Sequence, residues 1–169
     1  MNFRLILLPC LLFSGVWLFS GCGGEELPPG VPKLYPATIT VMQDGKPLAD
    51  AQVICLNIDP SNGWTPGGMT DASGIVKLRT LGRYNGAPAG TYDVSVSKIE
   101  YPDIQLPNED SPEYKRIAKE IADNTFIVID PKFGIGKTPH RVEISPSNLK
   151  HEVDVSPAVR IKAPTAKGG

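Results

Sequence analysis

Few residues of this 169-residue chain combine the types and spacing that chemistry requires, and the sharpest pair is His140 and Glu143 in "HRVE". A His-x-x-Glu spacing suits zinc when both side chains reach one ion. Here Val142 and Ile144 alternate with Arg141 and Glu143, which reads as a strand. Residues three apart on a strand face opposite sides, so this pair does not share a metal. The other histidine, His151, opens "HEVDV", which repeats the alternation after the loop "SPSNLK". Folded as an antiparallel hairpin, the two segments set Ile144 against His151 and His140 against Val155, with the imidazoles about 13 Å apart. No third ligand converges, so neither a metal nor any other cofactor is expected.

Of the three cysteines, Cys55 lies in the apolar stretch "AQVICLN" and reads as a small core residue. No G-x-S-x-G, phosphate-cradling glycine loop or C-x-x-C is present. Asp59 and Asn62 supply too few oxygens for calcium and suit turns beside Pro60 and Gly63. What remains is binding. In "IDPSNGWTPGG", Trp64 sits beside the amide of Asn62, an aromatic plate able to stack on a sugar or a peptide segment, and Tyr84 in "RYNGAP" supplies a second loop aromatic. The competing structural reading folds Trp64 back over the open end of the domain.

The elements that must position these residues are mostly strands. "ATITVMQ" sets Ala37, Ile39 and Val41 against Thr38, Thr40 and Met42, the period of a strand with one buried face. "DGKP" is a turn, "AQVICLN" a second strand that reads as apolar on both faces, and "TDASG" a turn closing at Gly74. "IVKLR" and "GTYDVSVSK" continue the alternation, with Tyr92, Val94 and Val96 inward. Short strands at regular spacing predict a two-sheet sandwich. One segment breaks the rhythm: "SPEYKRIAKEIADN" predicts a helix over about residues 112–123, with Ser111 as N-cap, Pro112 in its first position and an apolar stripe of Tyr114, Ile117, Ala118 and Ile121. That stripe is expected to lie on the sandwich. The net charge of −1 offers no basic surface for nucleic acid.

The N-terminus carries Arg4, then an uncharged run over residues 5–19 interrupted by Pro9, then small residues. This is the pattern of a secretory leader and is short for a spanning helix. Ser20-Gly21-Cys22 resembles the lipobox of bacterial lipoproteins, which implies cleavage after residue 21, acylation of Cys22 and a partner in the lipid bilayer. Several acyl chains hold firmly where one holds marginally, since each buried CH₂ contributes about 0.8 kcal/mol. Residues 22–36, with four prolines and two acids, read as an extended tether reaching roughly 40 Å. Gly23, where inner-membrane lipoproteins of diderm bacteria place Asp, favours the outer membrane. With Cys10 removed and Cys22 alkylated, Cys55 has no disulfide partner.

"DGKPLADAQVICLN", "MTDASGIVKL" and "GAPAGTYDVSVSK" resemble successive strands of the carboxypeptidase regulatory-like domain, a small transthyretin-like (prealbumin-like) sandwich. Gly45, Pro47, Ala51 and Val53 fit its first motif, Thr70, Asp71 and Gly74 the second, and Pro88, Gly90, Tyr92 and Val94 the third; Asp50 stands where the pattern has glycine. The chain lacks the C-terminal Tyr-Arg-Gly-Ser of transthyretin-like hydrolases. The resemblance covers about residues 35–156 and implies an all-β, seven-stranded sandwich over residues 37–157 with one inserted helix, followed by a disordered tail over residues 158–169. It is similar to small bacterial lipoproteins built from this domain alone, to which no activity is generally assigned. The function so implied is a non-catalytic envelope lipoprotein, binding or structural, whose partner is an envelope protein. The alternative is carbohydrate or peptidoglycan binding through Trp64, Asn62 and Tyr84.

Overall fold

The computed structural model describes residues 27–164. The leader, its cleavage site, Cys22 and the first part of the tether lie outside the described residues, as do the last five. Within them the chain is all-β with one short α-helix. In chain order the strands are β1 Leu34–Tyr35, β2 Thr38–Gln43, β3 Lys46–Pro47, β4 Gln52–Asn57, β5 Gly67–Met69, β6 Ile75–Lys77, β7 Arg79–Thr80 and β8 Tyr84–Asn85. There follow β9 Ala87–Pro88, β10 Gly90–Ser97, β11 Ile99–Glu100, helix α1 Tyr114–Asp123 and β12 Phe126–Ile127. A 3₁₀ turn at Pro131–Phe133 leads to β13 Arg141–Ile144, β14 Lys150–Asp154 and β15 Ile161–Lys162.

Two larger sheets carry the core. The first runs β13-β10-β4-β5-β7-β8; in the second, β2 is flanked by β14 on one side and by β3 and β6 on the other. The alternation seen in the sequence sets the inward faces. Ile39, Val41, Val76, Val153 and Val155 meet Val53, Cys55, Tyr92, Val94, Val96, Val142 and Ile144 in one buried cluster. Burial of this kind contributes about 25 cal/mol per Å² of apolar surface and is the main force on the fold. The "DGKP" turn closes a two-residue hairpin between β2 and β3, with Asp44 at φ +49° and Gly45 at φ +74°, the backbone that a hairpin turn requires at both positions. β6 and β7 form one path that changes sheet. Ile75–Lys77 pairs with β2, Arg79–Thr80 pairs with β5 and β8, and buried Leu78 between them donates its N–H to the Ala37 carbonyl.

Several expectations are corrected. Among the described residues the β content is divided into fifteen short strands in four sheets, where the resemblance implies seven strands. "HRVEI" and "HEVDV" do not form a hairpin: β13 is antiparallel to β10 in the first sheet and β14 is parallel to β2 in the second. Val142 and Ile144 reach the core from one side and Val153 and Val155 from the other, which satisfies both apolar rows at once. The Ser145–Asn148 turn that redirects the chain is closed by paired backbone hydrogen bonds and by Asn148 Nδ2 donating to the Glu143 carbonyl.

The helix begins two residues later than expected, with Glu113 as N-cap; Ser111 Oγ accepts instead from the Glu113 N–H, two residues too early to cap the helix proper. Its apolar stripe is half-buried and contributes no fully buried residue. Residues 158–164 are not a disordered tail. β15 pairs with β12, the Arg160 guanidinium lies 3.9 Å from the Phe126 ring centroid and pairs with Glu100, and Lys162 Nζ lies 2.7 Å from Asp123. The tether likewise ends early, because β1 is hydrogen-bonded to β9 within the domain.

Candidate functional site

The loop between β4 and β5 is built from successive side-chain turns, each carboxylate or amide accepting a backbone N–H two residues on. Asn57 accepts from Asp59 N–H, Asp59 from Ser61 N–H and hydroxyl, and Asn62 from Trp64 N–H. The Ser61 hydroxyl and N–H hold the exposed Asp59 carboxyl below its ordinary range. Trp64 and Asn62 are half-buried. Tyr84 departs from expectation: it lies in β8, is 9% exposed, and has the Arg83 guanidinium over its ring. Its inward-facing position on the strand, not a loop, decides that burial, so it offers no second plate beside Trp64.

Cys55 and His140 are committed to structure. Burial pushes the Cys55 thiol up to about 12, far from the thiolate that nucleophilic chemistry needs. His140 stacks on Phe133 with ring centroids 5.2 Å apart, and its Nε2 lies 2.8 Å from the Asp154 carbonyl oxygen. His151 sits on β14 opposite Ile39, in the other sheet from the strand that follows His140. Among the described residues no three His, Cys, Asp or Glu side chains gather as metal ligands.

A groove of about 680 Å³ opens on the surface. It lies on the outward side of the first sheet, where register aligns Ser95, Ile54, Gly67, Arg79 and Asn85 in a row across five strands. Gly67 has no side chain to fill that row, and a Cβ there would meet the Val53 carbonyl oxygen at 2.5 Å. Gly68 faces the core, where a Cβ would meet Val76 Cγ2 at 2.9 Å. The glycine pair thus lets β5 press close to its neighbours and leaves a trough above it. Gln52, Ile54, Thr65, Met69, Lys77 and Arg79 stand around the trough, and Met69 is 59% exposed.

The electrostatics of the groove favour anions. Lys77 and Arg79 are exposed and form no ion pair among the described residues. The one acid in the lining, Asp71, is turned to its own loop, its Oδ1 accepting the N–H groups of Ser73 and Ile75, and two cations stand against it. Neither Trp64 nor Tyr84 lines this groove, so the structure does not join the expected aromatic candidates to it. Two signals in the sequence mark the site. "TPGGM" places consecutive glycines inside an extended segment, a sign of close backbone approach, and "KLR" places two cations two apart on one strand face. Compared with known proteins, the chain matches no family model, no curated protein and no solved structure.

Proposed function

We propose that this chain is a lipid-anchored envelope protein, held through acylated Cys22 and carrying a carboxypeptidase regulatory-like, transthyretin-like sandwich that works as a non-catalytic binding or structural interaction module. The observation that carries this reading is a contrast. Cys55 and His140 are absorbed into packing and hydrogen bonds, while Lys77 and Arg79 stand uncommitted beside an open groove. The leader-like N-terminus and Ser20-Gly21-Cys22 support the anchor. Because strand pairing begins at Leu34, the spacer from Cys22 is short, on the order of 35 Å when extended, which keeps the groove close to a bilayer surface. Gly23 after the cysteine supports the outer membrane over the inner. No helix among the described residues is long and apolar enough to cross a membrane.

The alternative, glycan or peptidoglycan binding through loop aromatics, rests on Trp64 with Asn62 alone now that Tyr84 is buried. Two measurements test the proposal. Mass spectrometry of the native protein should find residue 22 as an acylated N-terminal cysteine; an unmodified sulfur there sinks the anchor. Proximity crosslinking in the native envelope should capture a reproducible protein, whereas glycan retention lost in Trp64→Ala would turn the reading to the alternative.

A further inference from the structure

We infer that the groove above Gly67 binds an extended acidic peptide segment of a partner protein, a proposal that rests on the reading of this chain as a binding module. The first support is charge. Lys77 and Arg79 form no ion pair among the described residues, and the acid beside them, Asp71, already accepts two backbone N–H groups. The lining thus presents two cations without ion-pair partners, which an anionic ligand could engage.

The second support is spacing. Lys77 and Arg79 are two apart along one extended path, so their stems are separated by roughly 7 Å. Carboxylates on alternate residues of an extended peptide have the same separation. Third, strand pairing is interrupted at this point. Gly67 pairs with Arg79, and Asp71 N–H donates to the Ile75 carbonyl, which sets Met69 opposite Lys77, although β5 and β6 are not paired strands. An interruption in strand pairing suits an extended peptide, whose own main chain supplies donors and acceptors.

The remaining walls agree with a peptide more than with a sugar polymer. Ile54, Ile75 and the exposed thioether of Met69 offer aliphatic contacts that adapt to side chains. No aromatic plate faces the trough, since Trp64 and Tyr84 lie outside its lining.

The probe is a fluorescent peptide of alternating Glu and Val, about ten residues long to span the groove in extended form, read by anisotropy against the full chain. Binding should weaken as salt is added and fall at least tenfold in the Lys77→Glu, Arg79→Glu double variant, while Lys115→Glu on the exposed helix face leaves it unchanged. Circular dichroism confirms that the double variant is folded; should it not be, Lys77→Gln with Arg79→Gln carries the same test. Absent binding, equal binding of a Gln-Val peptide, or a preference for polygalacturonate overturns the assignment. Envelope crosslinking with the double variant separates this from the wider reading. A partner captured equally by both proteins, without peptide binding, removes the groove and keeps the module. Charge-dependent peptide binding with no partner captured by either keeps the groove and removes the envelope role.

Discussion

Thr70 and Ala51 bind one another twice. The Ala51 N–H donates to Thr70 Oγ1 at 2.8 Å, and the Thr70 N–H donates to the Ala51 carbonyl at 2.9 Å. The same hydroxyl donates onward to the Leu48 carbonyl at 2.7 Å, and Thr70 is 3% exposed. One side chain thus fastens the segment leading into β4 to the end of β5. Thr70→Val keeps the shape but strands a buried donor and acceptor, which costs roughly 1–3 kcal/mol. Urea unfolding should show a lowered midpoint with an unchanged slope, and Thr70→Ser should recover most of the loss. An unchanged midpoint in the valine variant would remove this clasp from the account of stability.

Gly74 and Asp50 form a paired test of backbone conformation. Gly74 has φ +71°, and a Cβ there would meet the Val41 carbonyl oxygen at 2.8 Å and the Leu48 nitrogen at 2.9 Å. Gly74→Ala is expected to cost well over 1 kcal/mol, combining left-handed strain with a backbone clash. Asp50 is exposed and also left-handed, at φ +53°. Asp50→Ala should destabilise by about 1 kcal/mol, whereas Asp50→Gly should be neutral or stabilising. Equal effects of Ala and Gly at position 50 would show that the left-handed backbone there carries no strain.

These two sites also show what the sequence makes legible. Thr70, Asp71 and Gly74 are local signals: a turn's hydrogen bonds and φ values depend on residues a few positions apart, and the structure places each in the expected turn. The inward rows of β2 and β10 are equally readable, because period-two alternation records a face directly, whereas β4 reads as apolar on both faces and buries only the face of Val53 and Cys55. Which sheet a strand joins is not recorded in that way. Val142 and Val153 have the same alternation whether β13 and β14 pair with each other or face one another across the core, and only the whole set of pairings selects the second. Tyr84 failed for a related reason, since flanking Arg83, Asn85 and Gly86 look like a loop while a two-residue pairing with β7 turns the ring inward. The groove depends on Gly67, Lys77 and Arg79, whose meeting is a consequence of β6 and β7 changing sheets at Leu78.

Cys55 provides a reporter of unfolding. It is fully buried, and burial holds its thiol at about 12, so both access and ionisation oppose alkylation. Treatment of the folded protein with iodoacetamide near neutral pH, followed by peptide mapping, should leave position 55 unmodified. Urea should expose it along the same curve as the loss of secondary structure. Labelling of the folded protein at a rate typical of free cysteine would contradict this burial.

Asp123 couples the helix to the C-terminal strand in a pH-dependent way. Its carboxylate accepts from Lys119 one turn earlier and from Lys162 Nζ at 2.7 Å on β15. These hydrogen bonds, Lys119 first, and the charges behind them lower the Asp123 carboxyl from an ordinary 3.8 to about 2. A carboxyl depressed in the folded state stabilises that state above its unfolded value and loses the contribution as pH falls through the folded one. Acidification from about pH 4 to about pH 2 should therefore loosen the contact between Tyr114–Asp123 and Ile161–Lys162, while the buried cluster between the larger sheets is not affected by this group. An NMR titration should place the Asp123 midpoint near 2, and amide exchange in α1 and β15 should rise together over that interval. In Asp123→Asn the acid step should vanish from both elements, and added salt should mimic part of it in the parent, because exposed charge pairs are screened. A midpoint at 3.8, or exchange in β15 that ignores pH while α1 responds, would show that Lys162 does not hold the two elements together through this carboxylate.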